Sequence, residues 1–514
     1  MMSREAIRRG YNRRNYIVGA HTPPAWASSS PDLSTVDNGS EGSLQFADAV
    51  LVDTEVVDQL EQIVDTVTRD LTGIVVGTRD WWARTKIAET GNNPAITRAV
   101  IVTVSSVEQI QAVMRLADER RIPVTVSAGR SNVTGAALPL AGGIVLDVLA
   151  LNSVLEFDPI SQIIEVEAGL FGDVFEEHIQ SEYGMTMGHW PSSFGISTVG
   201  GWVACRGAGQ LSTRYGKIED MVAGLEVVLA DGRLVSLGSP GRAAVGSDLQ
   251  QLFIGSEGTL GVITKVKFKL HRLPEQTRAL AYGFPSFAVG LDVCREILQR
   301  GATPAALRLY DALESGVQFD LPEQNVLLIA DEGESEVIDA VMTISADACE
   351  ELGGVKLDEN PIFERWLDTR YLTGKSAEGF KESPGFVADT LEMIGPWDAL
   401  PAIYDEVVDA IAQVEGTLAG SAHQSHAYVD SACLYFSLRG TVDPDDRADW
   451  YQRAWDAANA VIIKHGATLS HHHGVGLLRS RYMEESLGAG FEILKTIKQA
   501  LDPQNILNPG KLGL

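Results

Sequence analysis

The stretch Gly188-His189-Trp190-Pro191-Ser192-Ser193-Phe194-Gly195-Ile196-Ser197-Thr198-Val199-Gly200-Gly201-Trp202 decides how this chain is read. It runs on through Cys205-Arg206-Gly207-Ala208-Gly209 to Tyr215-Gly216-Lys217-Ile218-Glu219-Asp220, just ahead of a β-type segment. So long a run with little β-branched content is poor scaffold by itself. Small side chains do let the backbone approach a ligand closely, so this segment reads as a shell wrapped around a flat cofactor.

Upstream, apolar residues at helical spacing predict a helix over 52–68. A strand at 99–104 is followed by Ser106 as N-cap, a helix over 107–120 and a strand at 124–127. Strands at 143–148 and 163–169 and a short helix at 174–182 come next. Directly after the strand at 124–127 lies Ser127-Ala128-Gly129-Arg130-Ser131-Asn132-Val133-Thr134-Gly135. Small residues there let backbone N–H groups converge on a pyrophosphate; a Gly/Ser turn between strand and helix is the other reading.

Downstream, 222–230 and 232–236 predict a hairpin turning at Asp231-Gly232, and 262–270 another strand. Gly255-Ser256-Glu257-Gly258-Thr259-Leu260-Gly261-Val262-Ile263-Thr264 is a third Gly-rich segment. After Pro274, amphipathic segments alternate with strands such as 326–329 and 433–438. The expected organisation is therefore a flexible basic arm over 1–45, a first domain over 46–275, a second over 276–455, and a helical segment over 456–514 around His471-His472-His473.

A length of 514 residues, 45% of them hydrophobic and 21% charged, suits two or three globular domains. The net charge of −28 argues against sequence-independent nucleic-acid binding. No apolar run approaches the roughly 20 residues of a transmembrane helix. Cys205, Cys294, Cys349 and Cys433 form no CxxC pair, which fits a cytoplasmic setting without zinc or disulfides. Arg8, Arg9, Arg13 and Arg14 precede an apolar run too short for an export signal. Neither GxGxxG nor GxxxxGK[ST] occurs, so a Rossmann NAD site and a P-loop are not expected.

These segments carry a resemblance. Ser197-Thr198-Val199-Gly200-Gly201-Trp202-Val203, Tyr215-Gly216-Lys217-Ile218-Glu219-Asp220, the 255–264 run, Pro304-Ala305-Ala306-Leu307-Arg308-Leu309-Tyr310-Asp311 and Ser470-His471-His472-His473-Gly474-Val475-Gly476 occur in that order. Together they resemble the vanillyl-alcohol-oxidase and p-cresol-methylhydroxylase (PCMH-type) flavoproteins, and within them the alkylglycerone-phosphate synthase group. The resemblance implies an α+β fold: a two-subdomain FAD-binding domain, an α/β cap domain with an antiparallel sheet, and a C-terminal helical segment.

It also implies which residues hold FAD. Ser127, Ala128, Gly129, Arg130, Ser131 and Asn132 would meet the pyrophosphate. Pro191, Ser192, Ser193, Ser197 and Thr198 would line the isoalloxazine and ribityl region, and Cys205, Arg206 and Ala208 would continue that wall. Glu257, Gly258, Thr259 and Ile263 would lie near the adenosine half. The loop reads Ala-Gly-Arg-Ser-Asn where the family has Gly-Gly-Gly-Thr-Ser, and Arg130 would touch a phosphate or close the loop by a salt bridge. It holds no histidine, so non-covalent FAD is expected.

The triple histidine admits metal-binding, structural and catalytic readings. Catalysis is favoured because histidine accepts a proton near neutral pH, and no carboxylate sits at a matching spacing for a metal. In an extended segment His471 and His473 would face one side and His472 the other. By resemblance Tyr435, His189 and Arg308 join them at the active site, while the family's following lysine is Leu477 here. Arg308 needs an anionic partner in so apolar a strand; Asp311, Glu392 or a substrate oxyanion are the candidates.

The implied reaction exchanges the acyl group of an acyl-dihydroxyacetone phosphate for a fatty alcohol by way of a flavin N5 adduct. The wider family implies instead hydride removal from a hydroxy acid or alcohol. Between Arg370 and Pro396, only Lys375 and Lys381 offer a basic contact for phosphate. The partner expected is a small, lipid-like molecule, and the assembly a homodimer.

Overall fold

The computed structural model describes residues 49–90, 99–238, 243–371 and 383–514. The N-terminal arm, Lys375 and Lys381 therefore lie outside the described residues.

The expected 52–68 helix divides. Thr54–Ile63 is helical, with the Asp53 carboxylate accepting from Val56 N at 2.9 Å. Thr66–Thr68 is strand β1, since the β-branched Thr-Val-Thr triplet suits an edge better than a helix end. It pairs antiparallel with β2 (Ala99–Thr103). β2, β4 (Gly143–Asp147) and β3 (Val124–Ser127) run parallel in a four-stranded sheet ordered β1-β2-β4-β3. The helix Val107–Arg120 crosses between β2 and β3, capped by Ser106 as expected.

A second sheet is antiparallel, ordered β5-β6-β10-β8-β9, from β5 (Val154–Asp158), β6 (Ile163–Glu167), β8 (Val222–Val228), β9 (Leu234–Leu237) and β10 (Val262–Lys269). β8 and β9 are the expected hairpin. Between β6 and β8 the chain forms the helix Gly172–Tyr183, the short strand β7 (Met185–Thr186), and loops around the helix Val199–Cys205. β7 pairs with β11 (His271–Arg272).

The third sheet is antiparallel and seven-stranded: β15-β12-β14-β13-β17-β18-β16. Its strands are β12 (Gln276–Phe284), β13 (Ala306–Tyr310), β14 (Asn325–Gly333), β15 (Val355–Lys356), β16 (Phe386–Pro396), β17 (Thr417–Ala427) and β18 (Ser431–Thr441). Alternation sorts its two faces. Leu307 and Leu309, with Leu434, Phe436 and Leu438, join a core under helices Phe287–Gln299, Ser335–Glu351, Leu400–Ala412 and Arg447–Lys464. Arg308, Tyr435, Ser437 and Arg439 take the other register and reach a cavity. The helix Arg447–Lys464 runs through the expected boundary at 455, because its apolar stripe packs on the cap sheet throughout.

This is an α+β fold: two subdomains, each built on its own sheet, and a cap built on the seven-stranded antiparallel sheet. No helix of the described residues is long and apolar enough to cross a membrane.

Candidate active site

A cavity of about 580 Å³ lies between the two smaller sheets and the cap sheet. From the first domain Ser127, Ala128, Gly129, Arg130, Ser131, Asn132, His189, Pro191, Ser192, Ser193, Ser197, Thr198, Cys205, Ala208, Glu257, Gly258 and Ile263 line it; from the cap and C-terminal segments come Arg308, Tyr435, His472 and His473. Arg206, Thr259 and His471 do not. Arg206 ends the helix Val199–Cys205 in the left-handed region and turns outward to Glu219 at 3.2 Å. Thr259 is buried and donates to Ser256 O at 2.7 Å.

Two of the Gly-rich loops close on one another. A Cβ on Gly129 would sit 2.3 Å from Ile196 O, so only glycine fits. Arg130 at φ 53° and Glu257 at φ 50° hold left-handed backbone at the cavity rim, a conformation costly for non-glycine residues and common at ligand sites. The buried Ser127 Oγ has no hydrogen-bond partner among the described residues. Narrow glycine-bearing loops plus an unspent hydroxyl fit a dinucleotide, and FAD suits this site.

The histidine run departs from the expected alternation. One buried carboxylate, Glu392 on β16, gathers the backbone N–H groups of His471, His472 (3.3 Å) and His473 (3.0 Å). Collecting three consecutive donors curls the segment. His472 and His473 consequently face the cavity together, while His471 turns under them. His471 Nε2 meets Tyr428 Oη at 2.9 Å. Ser470 Oγ at 2.7 Å and Arg479 at 3.3 Å complete the shell of Glu392. Burial alone would raise its carboxyl, but Arg479 above all, then His472 and His473, hold it far below the usual range.

The far side of the loop is fixed too. Glu257 accepts from Val475 N (2.6 Å) and Gly476 N (2.7 Å), and Lys217 Nζ donates to His471 O at 2.7 Å. Asn132 accepts from Thr134 N and Ala136 N, shaping its own loop. Leu477, where the family has lysine, donates its N–H to Thr134 O at 2.9 Å. Thus the histidine segment is tied both to the cap strand β16 and to loops of the first domain.

Burial, followed by the charge of Arg479 and against the pull of Glu392, lowers His473 to about 4. Burial also takes His472 and His471 well below the ordinary value, and His189 to about 3. These rings are neutral bases near pH 7. His473 Nε2 lies 3.5 Å from Tyr435 Oη, and Tyr435 donates to Thr390 at 2.9 Å.

Arg308 has neither expected protein partner. Asp311 caps the helix Ala312–Phe319 and accepts from Ala422 N at 2.6 Å, and Glu392 pairs with Arg479. Arg308 Nε donates to Tyr310 Oη, at 3.0 Å. Among the described residues no carboxylate pairs with it. No carboxylate sits at a matching spacing in the sequence, but the fold brings one in from a distant strand: Glu392, Cys433, His471 and His472 hold possible ligand atoms within 4.8 Å of one another. Glu392 was invisible as their anchor because it lies 79 residues from His471 in sequence.

Comparison with known proteins assigns the architecture. Residues 98–238 match the family model "FAD binding domain", and 273–512 match "FAD linked oxidases, C-terminal domain". The solved structure of p-cresol methylhydroxylase with substrate bound is similar at TM-score 0.71 and 18% identity, over 90% of this chain and 96% of that one. The chain belongs to the PCMH-type FAD flavoproteins. FAD is its cofactor. Escherichia coli (strain K12) YgcU, an uncharacterized FAD-linked oxidoreductase, is 29% identical over 80% of this chain and 88% of its own. Alkyldihydroxyacetonephosphate synthase of Dictyostelium discoideum is 26% identical over 88% and 78%. The glycolate oxidase subunit GlcD of Bacillus subtilis (strain 168) is 26% identical over 80% and 88%.

Proposed function

We propose that this flavoprotein oxidises the hydroxyl-bearing carbon of a small anion, a 2-hydroxy acid being the chemistry that fits. The observation that carries it is Arg308, a cation on the cavity wall without a carboxylate partner among the described residues. A half-buried cation that faces a cavity without a carboxylate of its own attracts an anion there, and a substrate carboxylate is that anion. The identity of 29% and 26% to an FAD-linked oxidoreductase and a glycolate oxidase subunit, each over 80% of this chain, supports this reading.

The bound FAD supplies the hydride acceptor. In this reading Ser127 to Asn132, Pro191, Ser192, Ser193, Ser197, Thr198, Cys205, Ala208, Glu257, Gly258 and Ile263 would hold it non-covalently. Arg308 fixes the substrate anion, and neutral His473 takes the hydroxyl proton, with His472 beside it. Tyr435 orients the His473 ring, while Glu392 and Glu257 hold the loop at a fixed height over the cavity. Trp81 and Trp202 wall the cavity against water.

A second reading, acyl-for-alkyl exchange on an acyl-dihydroxyacetone phosphate, is favoured by the resemblance of the Ser470-to-Gly476 run and the 26% identity to the Dictyostelium synthase. It would use the same histidines, with Arg308 at the phosphate. Anaerobic absorbance of the yellow protein separates the two. Bleaching by 2-hydroxy acids supports oxidation, and incorporation of a fatty alcohol without bleaching supports exchange.

A further inference from the structure

The cap sheet carries a polar pair on the cavity wall that the sequence did not single out. His423 on β17 lines the cavity, and its Nδ1 lies 2.8 Å from Glu314 Oε2. Glu314 sits behind it, on the helix Ala312–Phe319, and accepts from Ser421 Oγ at 3.0 Å and Ser437 Oγ at 2.7 Å. Burial would raise the Glu314 carboxyl; the facing His423 above all, then the two serines, bring it down to about 2. A carboxylate fixed on Nδ1 leaves Nε2 as the atom directed away from Glu314, and no side chain of the described residues engages it.

The ring is held face-on between two tyrosines. Tyr310 stacks at 5.3 Å between centroids and Tyr435 at 4.9 Å, so His423 cannot swing away from the cavity. Tyr310 is also the residue that receives Arg308, whose guanidinium lies 5.7 Å from its ring centroid. Two nitrogen donors of the cap sheet therefore flank one tyrosine. One is a permanent cation, and the other is an imidazole backed by a carboxylate on its Nδ1. Each of the two is directed at the cavity.

We propose that His423, positioned by Glu314, is a specificity-determining residue that receives a second anionic group, so that the substrate is a dianion such as a hydroxy dicarboxylate. This deepens the hydroxy-anion reading given above and rests on it for the word "hydroxy". The recognition of two anionic groups stands on Arg308, Tyr310, His423 and Glu314 alone. Monocarboxylates would meet Arg308 and leave His423 unused.

The test is equilibrium binding of two unreactive probes to the FAD-loaded protein, read as perturbation of the flavin absorbance. Glutarate carries two carboxylates, and butyrate is a monoacid of similar size. At pH 6.5 the wild type is expected to bind glutarate at least 10-fold more tightly than butyrate. His423→Gln should lose that preference and leave butyrate unchanged, His423→Arg should keep it, and Arg308→Gln should weaken both probes. An unchanged glutarate preference in His423→Gln, or none in the wild type, overturns the proposal. Bleaching by malate and 2-hydroxyglutarate is scored separately: preference for glutarate with no bleaching by any hydroxy acid would retain the dianion site and reject the oxidation reading.

Discussion

Glu392 offers the sharpest perturbation. Its carboxylate and the Arg479 guanidinium are both fully buried, 3.3 Å apart, and five donors converge on its two oxygens. Glu392→Ala leaves Arg479 as an uncompensated buried cation, a loss of about 3–5 kcal/mol. Against a typical total of about 5–15 kcal/mol, that is a large fraction. Glu392→Gln keeps the shape but turns an amide N–H₂ toward N–H donors, leaving unmet groups at about 1–3 kcal/mol each. The assay is urea unfolding followed by release of FAD fluorescence. Single variants should move the midpoint to markedly lower urea, and Arg479→Leu added to Glu392→Gln should recover much of the loss, since removing both ions of a buried pair is often near neutral. A Glu392→Ala protein within about 1 kcal/mol of the wild type would refute the reasoning.

Arg308→Gln should raise KM for a hydroxy anion roughly 10- to 150-fold, the worth of hydrogen bonds to a charged group, with FAD content unchanged. Gly129→Ala places a Cβ 2.3 Å from the Ile196 carbonyl, so it should yield protein that has lost FAD while the cap domain persists, scored by the absorbance ratio of flavin to protein. His473→Ala should abolish bleaching and leave the yellow colour; loss of FAD would make the residue structural. His473 is lowered on folding, from an ordinary value of about 6.5 to about 4. The unfolded chain therefore binds its proton first, and the stability it contributes is complete above pH 6.5 and lost as pH falls towards 4. The acid limb of the reductive rate should likewise lie near pH 4, not 6.5, in a stopped-flow series.

Local signals were the legible ones. Ser106 as a cap, the Asp231-Gly232 hairpin and the glycine loops at 127–135 and 188–202 act through near neighbours, so their sequence reveals them. The 52–68 helix was over-extended because the apolar period continues through Val67, whereas β1 is decided by pairing with β2 across a gap of 35 residues. The same reason hid the site's supports. Alternation predicted the orientation of His471 to His473, but the carboxylate of a distant strand curls that segment. Glu314 and His423 are 109 residues apart and carry no motif. An arginine on so apolar a strand signals an anion from sequence alone, but that Asp311 and Glu392 are engaged elsewhere is decided by packing between distant strands.

The most direct test of the central reading is anaerobic mixing of the purified yellow protein with a series of 2-hydroxy acids, followed at the flavin band. Oxidation predicts bleaching that depends on Arg308 and His473. No bleaching by any of them, together with exchange of an acyl-dihydroxyacetone-phosphate chain for a fatty alcohol, would contradict it.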